Sequence, residues 1–194
     1  MVRNYNHNFL EIIQRYNLQT IKFIEVGAYD GVSGDPLHRF IKQYNWSGIL
    51  VEPYFPAFEQ LVQNYSDQKN LVFENVAIHP VLKTSNLYIS KKRSNNSLSR
   101  RCILKRSHVE EVKCCTLAEL VDKHNFYDFN LLQIDAEGLD FDIMKSIDFK
   151  KSKPDIIHYE HIFIDRSACA LFLKKMGYKI ISDIRDSTAY LCGL

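Results

Sequence analysis

The sequence has no hydrophobic run long enough to cross a membrane, and its first residues are too polar for a secretory leader. Its five cysteines are odd in number and none belongs to a C-x-x-C pair, which argues against a disulfide framework. We therefore expect buried free thiols and a cytoplasmic location. With 194 residues, the chain is long enough to bury a core as one domain, residues 1–194.

The common motifs that bind nucleotide phosphates are also missing. There is no G-x-x-x-x-G-K-[ST], and Gly27, Gly31 and Gly34 do not have the G-x-G-x-x-G spacing of a nicotinamide dinucleotide site. Tyr29 and Asp30 instead bring bulk and negative charge to the place where a pyrophosphate would lie. An acidic turn favours a cationic ligand, and S-adenosylmethionine carries a sulfonium and an ammonium without any phosphate.

Predicted strands and helices alternate along most of the chain, which favours a parallel sheet covered by helices on both faces. The predicted strands are 21–26, 49–52, 71–77, 131–134 and 156–159, with a short extra strand at 87–90 and a terminal hairpin of 178–182 and 189–192. The predicted helices are 9–16, within an N-terminal segment of residues 1–20, and 36–44, 56–65, 116–124, 140–147 and 167–176. This order predicts an α/β fold with a doubly wound, mostly parallel sheet.

Polar side chains follow several predicted strands at the point where each strand ends. They are Glu25, Asp30, Glu52, Asn75, Asp135, Glu137, Glu160 and His161. Ligands of such sheets gather at the carboxyl ends of the strands, so we expect these side chains to share one pocket. Glu52 stands 25 positions after Gly27, close to the spacing of about 20 typical of an acid that binds the ribose hydroxyls.

Four segments follow one another in order: Ile24-Glu25-Val26-Gly27-Ala28-Tyr29-Asp30-Gly31, Gly48-Ile49-Leu50-Val51-Glu52-Pro53, Asn75-Val76-Ala77-Ile78 and Leu132-Gln133-Ile134-Asp135-Ala136-Glu137-Gly138. This set resembles the FkbM family of S-adenosylmethionine-dependent methyltransferases, from about residue 20 to about residue 165. The combination of the first segment with the D-x-E-G segment is more specific than the first segment alone. The resemblance implies a Rossmann-like class I methyltransferase, which is a three-layer α/β/α fold whose seven-stranded sheet has a reversed terminal strand.

The resemblance also implies roles for individual residues. The turn 27–31 would hold the methionine portion of the donor, Glu52 would bind the ribose hydroxyls, and residues 75–77 would border the adenine. Asp135 and Glu137 would lie below the sulfonium, between the donor and the acceptor. The cofactor-binding residues implied in this way are Glu25, Gly27, Ala28, Tyr29, Asp30, Gly31, Glu52, Pro53, Asn75, Val76, Ala77 and Asp135.

Methyl transfer to a hydroxyl depends on alignment and on a general base that removes the hydroxyl proton. The candidates for catalysis are Asp135, Glu137, Glu160 and His161, whereas alternation along its strand would point His158 elsewhere. These patterns favour His161 or Glu160 as the base or acceptor-binding group without deciding between them. The same four groups could bind Mg²⁺, but oxygen-ligand spacing is not diagnostic and we favour a site without metal.

Residues 83–113 form the second informative region, with nine lysines and arginines against two glutamates. The region includes the polar run 94–99 and falls near the expected mouth of the pocket. We expect a basic loop or lid here that binds an anionic acceptor through Lys91, Lys92, Arg93, Asn96 and Ser97. The alternative is a solvated surface loop.

The function favoured by these patterns is O-methylation of a hydroxyl on a glycan, a sugar or a small natural product. A nucleic-acid methyltransferase that uses the basic segment is an alternative, with three features against it. No N/D-P-P-Y/F segment follows the fourth strand, no Pro-Cys dipeptide occurs, and Tyr88 is the one aromatic residue among the basic ones. A non-catalytic S-adenosylmethionine-binding module is the other alternative. The sequence leaves the oligomeric state open.

Overall fold

The computed structural model describes residues 7–90, 96–98 and 106–191. The helices and strands in these ranges are α1 (His7–Ile13), β1 (Lys22–Val26), α2 (His38–Tyr44), β2 (Ser47–Val51), α3 (Phe55–Asn64), β3 (Leu71–Glu74), β4 (Ala77–Ile78), β5 (Thr84–Ser90), β6 (Arg106–Cys115), α4 (Leu117–His124), β7 (Leu131–Ile134), α5 (Asp140–Lys145), β8 (Ile156–Glu160), α6 (Arg166–Lys175), β9 (Tyr178–Ser182) and β10 (Asp186–Leu191). Within the described ranges, no helix has both the length and the apolar character needed to cross a bilayer.

Seven strands form one sheet in the order β3-β2-β1-β7-β8-β10-β9. The neighbours from β3 to β8 pair in parallel, whereas β10 runs antiparallel to both β8 and β9. Ile24 of the central strand β1 lies opposite Ile49 of β2 on one side and Leu132 of β7 on the other. The expected mostly parallel, seven-stranded sheet with a reversed terminal strand is confirmed.

Neighbouring side chains of β1 enter two hydrophobic cores on opposite faces of this sheet. Ile24 packs in a core that includes Leu120 of α4 and Leu173 of α6. Phe23, one position earlier, packs in a core that includes Phe9 of α1 and Leu61 of α3. Because helices cover both faces, β1 and β7 are buried at nearly every position rather than at every second one. The three-layer α/β/α architecture is therefore confirmed.

A smaller three-stranded sheet has the order β4-β6-β5, and β5 pairs antiparallel with β6. The predicted strand 71–77 is divided between β3 and β4, and the sequence patterns did not predict β6 at all. Side chains such as His108 and Glu111 on β6 are exposed, so the strand lacks the apolar alternation from which strands are predicted. Part of the expected basic loop is therefore a strand pair. Lys91, Lys92 and Arg93 lie outside the described residues.

Candidate functional site

A cavity of about 1220 Å³ opens at the carboxyl ends of β1, β2, β7 and β8. The predicted site residues that line it are Glu25, Gly27, Ala28, Tyr29, Glu52, Pro53, Val76, Ala77, Asn96, Ser97, Asp135, Glu137 and Glu160. Four other predicted site residues belong to the described part of the chain but do not line the cavity: Asp30, Gly31, Asn75 and His161. The carboxyl ends of parallel strands meet at one edge of the sheet, which explains why residues so far apart in sequence converge here.

The turn after β1 brings three strand ends into contact. The backbone N–H groups of Gly27 and Ala28 both donate to the carbonyl of Val51 on β2, at 2.9 and 3.0 Å. Gly27 has a φ of +83°, and a Cβ at this position would overlap the backbone oxygen of Asp135 after β7. Only glycine allows this approach without a shift of the backbone. The turn therefore presents bare backbone directly beside Asp135.

Asp30 and Gly31 shape this turn without lining the cavity. The Asp30 carboxylate accepts hydrogen bonds from the N–H groups of Val32 and Ser33, at 2.9 and 2.6 Å, and from the Ser33 hydroxyl at 2.6 Å. A Cβ on Gly31 would overlap side-chain atoms of Leu61 in α3 and of Tyr65, which directly follows that helix. Both residues were expected to contact the cofactor; the structure gives them a role in the loop itself.

Glu52 lies at the tip of β2, buried, with both carboxylate oxygens facing backbone donors. Its Oε2 accepts from the N–H of Tyr29 at 2.9 Å, and its Oε1 accepts from the N–H of Tyr54 at 2.8 Å. Burial raises the pKa of this carboxyl to about 7, and the two N–H donors oppose that rise. Each oxygen retains a second lone pair that a ligand hydroxyl could use.

Asn75 was also expected at the cofactor, and the structure places it behind the cavity wall. Its side-chain amide donates to the backbone carbonyls of Glu52 and Pro53, at 2.8 and 3.2 Å. These two bonds fix the chain just past β2, where Glu52 and Pro53 line the cavity. Asn75 therefore acts on the site by holding the backbone of Glu52 and Pro53 in place.

Asp35 lines the cavity beside Glu25, although no sequence pattern pointed to it. The Glu25 carboxyl is buried, and Asp35 lies near enough to affect its pKa. Burial is the main cause that raises the pKa of Glu25 well above its usual range, and the nearby Asp35 and Asp135 add to it. Burial likewise raises the pKa of Asp35, to about 6. Asp35 lies nine positions after the end of β1, in a polar turn. No local sequence pattern therefore predicts that it lies beside the end of that strand.

The D-x-E-G segment after β7 forms a turn that two buried side chains hold. The Asp140 carboxylate accepts from the N–H groups of Ala136 and Gly138, at 3.4 and 3.1 Å. The Ser97 hydroxyl donates to the backbone carbonyl of Glu137 at 2.8 Å. Glu137 has a φ of +48°, in the left-handed region that non-glycine residues seldom adopt. Contacts from two directions thus stabilise a strained backbone at the cavity wall.

Three carboxylates lie together in the cavity, at the ends of β7 and β8. Oxygens of Asp135, Glu137 and Glu160 lie within 4.8 Å of one another, a set that could hold a hard cation such as Mg²⁺. Arg185, in the turn between β9 and β10, donates from Nη2 to Glu160 Oε1 at 2.7 Å. The sequence patterns missed Arg185, whose guanidinium already supplies positive charge to this cluster.

The two histidines of the β8 region are placed differently from the expectation. His161, a favoured candidate base, lies outside the cavity lining, with Nδ1 at 2.8 Å from the Ser187 hydroxyl on β10. His158 lines the cavity, but its ring stacks on Phe9 and its Nδ1 lies 2.9 Å from the Thr188 hydroxyl. Burial lowers the pKa of His158 to about 3, so this imidazole is neutral near pH 7.

Several solved structures share this fold. The chain aligns over 89% of its length with the methyltransferase FkbM from Methylobacillus flagellatus KT, at a TM-score of 0.58 and 12% identity. It spans 44% of the length of that protein. A precorrin-6y C5,15-methyltransferase from Geobacter metallireducens GS-15 aligns over 89% of this chain and 80% of its own, at a TM-score of 0.53 and 12% identity. These identities establish a common fold and nothing finer.

A third solved structure is the fibrillarin pre-rRNA processing protein of Methanococcus jannaschii. It aligns over 91% of this chain and 68% of its own, at a TM-score of 0.52 and 13% identity. No curated protein sequence matches this chain significantly. The sequence model of the methyltransferase FkbM domain, however, matches residues 25–180, which is most of the chain. The chain therefore belongs to the FkbM methyltransferase family.

Proposed function

We propose that this protein is an S-adenosylmethionine-dependent O-methyltransferase that methylates a hydroxyl of a sugar, a glycan or a small natural product. The observation that carries the proposal is the convergence of Glu25, Glu52 and Asp135 on one cavity, next to the glycine turn after β1. Carboxylates around a site without a phosphate-binding loop favour a cationic nucleoside donor over a pyrophosphate. Membership of the FkbM family supports the same donor.

On the donor side, the residues present fit such a molecule. The bare backbone at Gly27 leaves room for a ligand chain to lie against the strand end. Glu52 keeps acceptor capacity for ribose hydroxyls after binding two backbone donors. Val76 and Ala77 present an apolar surface for a purine ring. We assign Gly27, Ala28, Tyr29, Glu52, Pro53, Val76 and Ala77 to the donor.

On the acceptor side, Glu137 is the group best placed to act as general base. When bound, S-adenosylmethionine would supply a methyl group on a sulfonium; the acceptor oxygen would bond to that carbon in line as the carbon–sulfur bond breaks and S-adenosylhomocysteine leaves. Glu160 is less suited to take the hydroxyl proton because its Oε1 is already bound to Arg185. Glu137 is buried at the cavity wall on a backbone that Ser97 holds. The carboxylate of Glu137 would accept the hydroxyl proton, and Asp135 would orient the donor.

The residues Lys91, Lys92 and Arg93 remain proposed contacts for an anionic part of the acceptor. In the sequence they shortly precede Asn96 and Ser97, which line the cavity. An acceptor that carries phosphate or carboxylate would gain from their charge, and its binding would weaken with salt.

The test is a methyl-transfer assay with isotope-labelled donor against matched acceptor panels. One panel contains sugars, nucleotide-linked sugars and polyols, and the other contains single- and double-stranded oligonucleotides. The proposal predicts label in the first panel, on oxygen, with S-adenosylhomocysteine released in equal amount. Label in the second panel alone would make the protein a nucleic-acid methyltransferase. Donor binding without transfer to either panel would favour the non-catalytic module.

A further inference from the structure

The cavity extends beyond the glycine turn to the ends of β7 and β8, where Gln133, His158 and Glu160 line it. Gln133 lies opposite His158 in the parallel register, and Glu160 follows two positions later, so the three side chains leave the same face of the sheet. They are 6%, 4% and 4% exposed. Arg185, in the turn between β9 and β10, reaches this end of the cavity through its ion pair with Glu160.

Two of these side chains hold a buried oxygen that has no hydrogen-bond partner in the described part of the chain. The two atoms are Oε1 of Gln133 and Oε2 of Glu160. The other oxygen of Glu160, Oε1, accepts from Arg185 Nη2 at 2.7 Å. Buried oxygens without a partner are rare in folded proteins, because leaving them unpaired costs free energy. They point to a ligand that brings hydrogen-bond donors to this end of the cavity.

Glu160 and the proposed base Glu137 are close enough to bind two hydroxyls of one molecule. Oxygens of these two carboxylates lie within 4.8 Å of each other. A hydroxyl donates to a carboxylate over about 2.6 Å, so two hydroxyls on neighbouring carbon atoms can each reach one carboxylate. With the reacting hydroxyl at Glu137, its neighbour on the acceptor would lie at Glu160.

The charge at this end of the cavity disfavours an anion as the reacting unit. Three carboxylates face one guanidinium, that of Arg185, which is the one lysine or arginine in the described wall. These carboxylates would repel a phosphate or a carboxylate, whereas a hydroxyl donates a hydrogen bond without adding charge. An aromatic diol has no group for the buried amide of Gln133, but a sugar has further hydroxyls that can bind it.

We propose that Gln133, Glu160 and Arg185 form an acceptor subsite for a neutral sugar unit with hydroxyls on neighbouring carbon atoms. This inference rests on the proposed function. The hydroxyl that becomes methylated lies at Glu137. The adjacent hydroxyl donates to Glu160, accepts from Arg185 and stays unmethylated. An anionic group of a larger acceptor lies outside this subsite.

Binding and methyl transfer with methyl glycosides of neutral sugars test this inference. NMR locates the new methyl ether on each labelled product, and two deoxy analogues then remove the hydroxyl from either neighbouring carbon. Loss of one of these hydroxyls should weaken binding to the S-adenosylhomocysteine complex by about tenfold or more, as expected for a lost hydrogen bond to a charged group. Unchanged binding and transfer with both analogues would overturn the inference and leave the proposed function standing.

Glu160→Gln connects this hydroxyl to its carboxylate. The variant should bind the parent sugar about tenfold more weakly, and it should bind the critical deoxy analogue as well as the unaltered protein does, because that contact is already absent. Glu59→Gln, the same change on the exposed face of α3, is the matched control and should bind both sugars normally. Equal losses for the parent sugar and the analogue would remove Glu160 from the subsite.

Gln133→Met separates sugar binding from stability. Methionine has a similar size and removes a buried unpaired oxygen, so the variant should be at least as stable to denaturant as the unaltered protein. It should nevertheless bind the sugar more weakly, with unchanged affinity for S-adenosylhomocysteine. Loss of stability with sugar binding intact would give Gln133 a structural role and remove it from the subsite.

Catechol and oligonucleotides are the other arms of the transfer assay. Label on catechol alone would overturn the sugar subsite while O-methylation stands. Label on oligonucleotides alone, or donor binding without transfer to any acceptor, would overturn both the inference and the proposed function.

Discussion

The hydroxyl of Ser97 donates a 2.8 Å hydrogen bond to the backbone carbonyl of Glu137, forty positions further along the chain. Ser97 also exchanges two backbone hydrogen bonds with Tyr88 on β5, at 2.8 and 3.2 Å. Through this residue the small sheet contacts the D-x-E-G turn that carries the proposed base. Ser97 was expected to bind the acceptor, and its geometry instead suggests that it positions Glu137.

The first prediction concerns this contact. Ser97→Ala leaves a buried carbonyl without its donor, at a cost of about 1–3 kcal/mol, and should lower kcat by about tenfold. Because the acceptor does not contact the hydroxyl in this scheme, its KM and the donor affinity should stay unchanged. Ser97→Thr, which keeps the hydroxyl, should restore most of the rate. A rise in acceptor KM with kcat unchanged would instead make Ser97 an acceptor contact, as the sequence suggested.

The second prediction concerns the ribose acid. Glu52→Ala removes the acceptor for two backbone N–H groups and for the ribose hydroxyls, so donor affinity should fall by about 1–3 kcal/mol. Calorimetry with S-adenosylhomocysteine measures this loss directly. Glu59→Ala, on the exposed face of α3, is the matched control and should bind normally. Equal affinities for Glu52→Ala and the unaltered protein would remove Glu52 from the donor site.

The third prediction uses two glycines that both have positive φ. At Gly27 a Cβ would overlap the oxygen of Asp135, whereas at Gly177 the nearest atom to a Cβ is Lys153 Nζ, 3.8 Å away. Gly177→Ala should therefore cost only the backbone strain, about 1 kcal/mol. Gly27→Ala should cost about 1–3 kcal/mol more, because the added atom overpacks the turn. Denaturant unfolding of both variants measures the difference, and equal losses would mean that the turn relaxes freely.

The sequence predicted the elements whose residues are buried together and missed those whose role depends on distant partners. β1 and β7 were found because helices cover both faces, so their apolar runs stand out. The polar strand β6 gave no such run. Asp35 and Arg185 occur in polar turns typical of any surface, and only the folded chain brings Asp35 to Glu25 and Arg185 to Glu160. His161, which the sequence favoured as a site residue, lies outside the cavity lining with its Nδ1 2.8 Å from the Ser187 hydroxyl, a contact that no local pattern predicts.

The fourth prediction follows from the raised pKa of Glu52. Its pKa is about 7 in the folded chain, against an ordinary value of 4.5. Between these two pH values the folded chain therefore keeps a proton on Glu52 that the unfolded chain has lost. The contribution of Glu52 to the free energy of unfolding should therefore decrease from about pH 4.5 to about pH 7 and stay constant above. Unfolding of the unaltered protein and of Glu52→Gln, measured across this range, isolates the effect. As the pH rises, the free energy of unfolding of the unaltered protein should fall relative to that of Glu52→Gln. A difference between the two that does not change with pH would contradict the raised pKa.

The fifth prediction separates metal from guanidinium at the acceptor side. Arg185 donates to Glu160 within the cluster of Asp135 and Glu137, so positive charge is supplied by the chain itself. Methyl transfer should therefore persist in a chelator, and the unaltered protein should bind no Mg²⁺ in calorimetry.

Arg185→Ala leaves Glu160 without its partner and creates an uncompensated set of three carboxylates, which is the oxygen environment that Mg²⁺ prefers. This variant should lose activity and gain measurable Mg²⁺ binding, whereas Arg185→Lys should keep part of the activity because it retains the charge. Loss of activity of the unaltered protein in chelator, restored by Mg²⁺, would show that the carboxylates hold a metal despite Arg185.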